Sequence, residues 1–199
     1  MIRSLSFLLC AASLVPAATV QYSSQVTFNA ALGGAVTTID FASIGGGGSD
    51  VAMNNYNESG ATFTGAGGYL YGRDYSGGFI YGPFNNNIHV ALPTGTIGVG
   101  LNLSRFYDTT HGYEVQLSNG DVFSLGGVNQ FAGFISSTPL TSLDVKILSG
   151  SGQGIYNLTS DYVLLFDVSF SQVPEPSTGA IVFSALTAGA WVRWRRRQS

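Results

Sequence analysis

The chain has 199 residues, of which 45% are hydrophobic and only 10% charged, well below the roughly 25% typical of a soluble domain. Its formal charge of −3 is unevenly spread: from Ala18 to Gln172 ten acidic residues stand against three basic ones, Arg73, Arg105 and Lys146, a net −7. That balance excludes nucleic acid as a partner, because phosphate neutralisation needs Lys and Arg, and the single cysteine, Cys10, excludes a disulfide framework.

At the front, Arg3, an apolar core from Leu5 to Val15 and the small residues at Ala17 and Ala18 follow the order of a secretory signal. The core is too short to cross a bilayer. Residues 1–18 are therefore expected to be a signal peptide, cut by signal peptidase after Ala17 or Ala18. Cys10 follows the bulky Phe7, Leu8 and Leu9, whereas a lipid-acceptor cysteine wants small residues before it, so it reads as apolar filler. Once it is removed, the secreted chain has no thiol nucleophile and no Cys-based metal site.

The next segment predicts a two-turn helix, with Ser24 at the N-cap, Gly33 just past the end, and Phe28 and Leu32 on one face. From there the pattern is strand-like. Ala35–Phe41 is rich in β-branched residues and stops at the Gly45–Gly48 run; Ala61–Thr64, Tyr69–Tyr71 and Phe79–Tyr81 are short aromatic segments punctuated by glycine. Asn87–Leu92 and Ile97–Leu103 alternate. Tyr113–Leu117 and Asp121–Leu125 flank Asn119-Gly120, a pair suited to a type I′ hairpin turn because both residues tolerate positive φ. Phe131–Ile135, Leu143–Leu148 and Tyr162–Phe170 bring the total to about ten strands. Short strands without intervening helices predict an all-β fold over residues 19–172: an antiparallel β-sandwich, jelly-roll-like, with one short N-terminal helix.

The back of the chain changes character. Val173, Pro174, Glu175, Pro176 and Ser177 form a rigid, non-helical step, since the prolines fix φ and remove donors. Gly179–Val192 is uncharged, and Arg193, Arg195, Arg196 and Arg197 follow. Fourteen residues make about 21 Å of helix against a hydrocarbon core of roughly 30 Å. A transmembrane helix over about 177–194 becomes long enough only with Ser177 and Thr178 added, Trp191 and Trp194 at the interface and the arginines snorkelling. The arginines belong on the cytoplasmic side.

This order, Val-Pro-Glu-Pro, short apolar span and arginine cluster, resembles the PEP-CTERM sorting signal over residues 173–199. The resemblance implies recognition of Pro174, Glu175 and Pro176 by an exosortase, a membrane cysteine protease. It also implies a Gram-negative-type bacterium that makes extracellular polysaccharide, with passage through the inner membrane on the way to the cell surface or extracellular matrix. The middle resembles, more loosely, a sandwich domain frequent beside such tails. Its carriers are Phe28-Asn-Ala-Ala-Leu32, Ile39-Asp40-Phe41, Gly60-Ala-Thr-Phe63, Phe131-Ala-Gly-Phe-Ile135 with Thr138–Leu143, and Phe166-Asp167-Val168. That group mostly has no defined activity.

Four sets of residues are candidates for chemistry. Asp40 and Asp167 each sit in an apolar strand, near the two ends of the domain, where they can contribute to a structural Ca²⁺ site; the plainer reading leaves each at a strand end or facing solvent. Tyr69, Tyr71, Tyr75 and Tyr81 crowd into one Gly-rich stretch with Arg73, Asp74 and Asn85–Asn87, a composition suited to stacking on sugars, although such aromatics more often fill a core or cover an edge. The histidines, His89 and His111, would need Asp108 or Glu114 to hold zinc, and no spacing motif links them. Gly45–Gly48 lacks a following lysine or helix start, so it reads as a flexible loop and not a phosphate cradle. No Gly-x-Ser-x-Gly elbow is present, and ten acids make some pair of carboxylates inevitable, so neither supports a hydrolase. The leading expectation is a non-catalytic, exported surface or matrix protein associated with biofilm polysaccharide. A carbohydrate-binding module comes second and a secreted hydrolase third.

Overall fold

The computed structural model describes residues 18–74, 77–82, 87–105, 112–126, 129–147 and 163–172. The expected signal peptide up to Ala17, Tyr75, Asp108, His111, the sorting motif Val173–Ser177, the transmembrane helix and the arginine cluster lie outside these residues. Among the described residues no helix is long and apolar enough to cross a membrane.

The described chain is an antiparallel β-sandwich with one α-helix. In order, the strands are β1 (Thr19–Tyr22), β2 (Thr37–Ile39), β3 (Val51–Met53), β4 (Tyr56–Glu58), β5 (Ala61–Gly65), β6 (Leu70–Arg73) and β7 (Phe79–Tyr81). They continue with β8 (Ile88–Ala91), β9 (Thr96–Arg105), β10 (Tyr113–Leu117), β11 (Val122–Leu125), β12 (Gln130–Ser136), β13 (Ser142–Ile147) and β14 (Val163–Gln172). Helix α1 spans Gln25–Leu32. One sheet runs β1-β12-β9-β14-β7-β6-β3, with β2 also on β14; the other runs β11-β10-β13-β8-β5-β4.

Period-two burial explains why the sheets face each other. Val99, Leu101 and Leu103 of β9, and Leu165, Val168 and Phe170 of β14, turn into the core with Ile88 and Val90 of β8, Val115 of β10 and Val145 of β13. The intervening residues of the smaller sheet are polar and pair across strands. His89 Nδ1 lies 2.9 Å from Asp144 Oδ1, and Lys146 Nζ lies 2.6 Å from Glu114 Oε1.

Part of the outer face of the larger sheet is covered by α1, which packs over β12 and β9. Gly100 of β9 and Gly133 of β12 are cross-strand partners, and the Phe28 ring packs over them and against Phe131 at 5.5 Å between centroids. A Cβ at Gly133 would come within 2.5 Å of Phe28, and one at Gly98 within 2.4 Å of Leu32. These glycines leave the hollow in which the helix sits. Ser24 and Gly33 occupy the two caps as expected, Gly33 at φ 62°, although the Ser24 hydroxyl does not cap; instead its carbonyl accepts from Phe28 N–H at 3.0 Å.

The expected strands from Thr37 onward are present, and three short ones, β1, β3 and β4, were not foreseen. Each has only three or four residues, too few for alternation to register. The turn chemistry also differs in place. At Asn119-Gly120 only Gly120 has positive φ, 94°, and Gly120 N–H bonds to Leu117 O at 2.9 Å. This is a three-residue loop with glycine at its last position, not a type I′ turn. The two-residue turn with positive φ at both positions is Ser59-Gly60, at 50° and 82°, joining β4 to β5. Asn119 is kept out of positive φ by its side chain, which accepts from Asp121 N–H at 3.1 Å and donates to Thr19 Oγ1 at 2.8 Å.

If the paired glycines are the seat of α1, Gly133→Ala should overpack the Phe28 site and destabilise the domain by about 1–3 kcal/mol. Chemical denaturation of the two proteins measures this, and an unchanged midpoint would show that the helix does not depend on that hollow.

Candidate functional site

Asp40 follows β2 directly. Pairing of Ile39 with Val168 and of Thr38 with Ser169 ends one residue short of the position where Asp40 would stand opposite Asp167. The strand order thus brings the two aspartates to neighbouring places on the outer face of the larger sheet, where Thr38 Oγ1 and Ser169 Oγ are 3.0 Å apart. Each carboxylate already has a local task. Asp40 Oδ1 accepts from Ala42 N–H at 3.1 Å, and Asp167 Oδ2 accepts from Asn102 Nδ2 at 2.9 Å. Among the described residues no cluster of three or more His, Cys, Asp or Glu converges. A calcium ion here would therefore take only two charged ligands and draw its remaining oxygens from Asn102 and backbone carbonyls.

The bend after Asp40 is unusual. Phe41 is fully buried and has φ 56°, a left-handed conformation that costs a bulky residue energy. It is held by its ring, 5.2 Å from Phe63 and 5.5 Å from Tyr56, and by Gly78, where a Cβ would meet Phe41 C at 2.5 Å. The Tyr56 hydroxyl bonds to Ser43 Oγ at 2.7 Å and to Glu58; burial, and then Glu58, push its pKa up.

The tyrosines separate into two environments. Tyr71 and Tyr81 are cross-strand partners on β6 and β7, their rings stacked at 5.4 Å and 20°. Phe79 packs on Tyr81 and, at 5.2 Å, on Phe166. Phe166 is the extra residue of a β-bulge, since Leu165 faces Leu103 while Asp167 faces Asn102. These rings form a small apolar patch on the outer face, separate from the core, and the faces of Tyr71 and Tyr81 are turned on each other. Tyr69 stands apart and is 60% exposed.

Beside this patch, Arg73 pairs with Asp50 at 2.8 Å, and the Gly45–Gly48 run closes on Asp74. Gly47 and Gly48 N–H donate to the Asp74 carboxylate at 3.0 and 2.6 Å, with φ 59° and 84° aiming both amides inward. The run expected to be a flexible loop is thus an amide nest around the chain's own anion. Nothing local to the run signals this, because Asp74 lies 26 residues from Gly48.

The remaining candidates do not assemble a catalytic centre among the described residues. His89 is tied to Asp144 and Glu114 to Lys146, all on a partly exposed sheet face. A scan against models of protein families finds no match, and a search of curated proteins finds no relative.

Two outcomes follow. The amides of Gly48 and Gly47 hold the Asp74 pKa below its ordinary value. Whatever stability the nest adds is therefore complete above the ordinary carboxylate range and is lost as pH falls through the depressed value. Carboxyl chemical shifts followed against pH should show Asp74 titrating below the ordinary aspartate range, and Asp74→Asn should remove that titration and loosen the loop. For the aspartates, a calcium site requires that wild type melt at a higher temperature in calcium than in chelator, and that Asp40→Ala melt alike in both. Superimposable wild-type curves would remove calcium from consideration.

Proposed function

We propose that this chain is an exported, exosortase-processed surface or extracellular-matrix protein whose sandwich acts by interaction and not by catalysis. The observation that carries the reading is the sequence order at residues 173–197: the Pro174-Glu175-Pro176 step, an uncharged run and the arginine cluster. The front supports it independently, through Arg3, a short apolar core and the small residues at the expected cut. A secreted sandwich without thiols suits an oxidising exterior.

On this reading the signal peptide directs export, the tail holds the precursor in the inner membrane with its arginines inside, and exosortase cuts near Pro174-Glu175-Pro176. The partners are signal peptidase, exosortase and, in the matrix, extracellular polysaccharide. A role as a carbohydrate-binding module has Tyr69 in its favour, whereas Tyr71 and Tyr81 spend their ring faces on each other.

Mass spectrometry of the protein recovered from its host tests the reading at both ends. The expected product starts at Ala18 or Thr19 and lacks the arginine cluster. Replacing Pro174, Glu175 and Pro176 together by alanine should leave the tail uncut and the protein in the membrane fraction. A cytosolic protein carrying both Met1 and Ser199 would end the proposal.

A further inference from the structure

The described domain begins and ends at the same end of the sandwich. Ser137 N–H donates to Ala18 O at 3.2 Å, and Ala18 N–H donates to Ser137 Oγ at 3.2 Å, so Ala18 lies beside Ser137. Continuing the β12–β9 register, in which Ile135 faces Gly98, brings Ser137 level with Thr96. Thr96 in turn faces Gln172. Ala18, Ser137, Thr96 and Gln172 thus stand in one row across four adjacent strands. At about 4.8 Å per strand, the chain enters and leaves within about 14 Å of itself. The same end carries the turns at 59–60, 93–95, 118–120 and 137–141, because β8 connects to β9 and β12 to β13 there.

From this row we infer that the tethered precursor stands with this end against the lipid and presents the opposite end, where the Tyr69–Tyr71 segment and the start of β14 lie. The inference rests on the proposed sorting tail. Four residues separate Gln172 from Ser177, where the expected span starts, and fully extended they reach about 17 Å. The ten-residue strand β14 is about 33 Å long. A tether shorter than the strand cannot let the domain invert. The directions of the chain agree. β1 runs away from this end and β14 runs towards it, so an uncut signal peptide and the tail would enter the same membrane antiparallel, with Arg3 and the arginine cluster both inside.

Charge fits the same orientation. Arg73 and Lys146 lie away from this end and are paired with Asp50 and Glu114, and Arg105 ends β9 at the opposite end. Among the described residues the membrane-facing end has no basic side chain to hold anionic headgroups, so cutting the tail frees the domain.

Single cysteines test this cleanly, since the sequence has no cysteine after Cys10. In a host lacking exosortase, the membrane-held precursor carrying Thr94→Cys or Ser118→Cys should react severalfold more slowly with a bulky polyethylene-glycol maleimide than one carrying Tyr69→Cys. In the released, tail-cut protein from the normal host, the three should react at similar rates. Equal rates in the precursor, or slower reaction at Tyr69→Cys, would overturn the orientation. A precursor absent from the membrane fraction would instead overturn the sorting reading on which the orientation rests.

Discussion

The pairing of β9 with β14 is the constraint on which the rest of this fold depends. These two ten-residue strands lie side by side at the middle of the larger sheet, and one face of each supplies the core with Val99, Leu101, Leu103, Leu165, Val168 and Phe170. A slip of one residue between them would send that whole set to the outer face. The bulge at Phe166 adjusts this pairing, since it moves one aromatic ring outward without disturbing the inward set on either side.

The outer face follows from the same two strands. Where β9 carries glycine, α1 sits close; where it carries Asn102 and Ser104, polar contacts to Asp167 and Asn129 take over. Further across, Tyr71, Tyr81, Phe79 and Phe166 cover the sheet with rings. The two aspartates that drew attention in the sequence come to neighbouring positions for a topological reason, because β2 pairs with the last strand and not with its sequence neighbours.

Much of this was legible from the residues. The helix between Ser24 and Gly33 and the strands from Thr37 onward other than β3 and β4 show in the local pattern, through alternation or through aromatic and β-branched residues bounded by glycine. What was hidden is non-local. The Gly45–Gly48 run looks like a loose loop until Asp74, just past the end of β6, is brought to it. The Asn119-Gly120 pair suggests a type I′ turn until Thr19, a hundred residues earlier, takes the Asn119 amide. Phe41, apolar in an apolar run, gives no sign that it turns the backbone into a left-handed bend. The stacked Tyr71–Tyr81 pair shows how a sugar-binding composition and a self-satisfied aromatic pair can look the same in one dimension.

The place of β14 in the chain sets a timetable. It is the last strand of the described residues, yet it sits between β9 on one side and β7 and β2 on the other. A polypeptide emerging from its front end must wait for residues 163–172 before the larger sheet can close. Until then the bare edges of β9 and β7 offer unpaired amides and carbonyls to any neighbouring chain. Those ten residues immediately precede the proposed sorting motif, so on that proposal the sheet would close, and its edges be covered, just as the retention segment arrives.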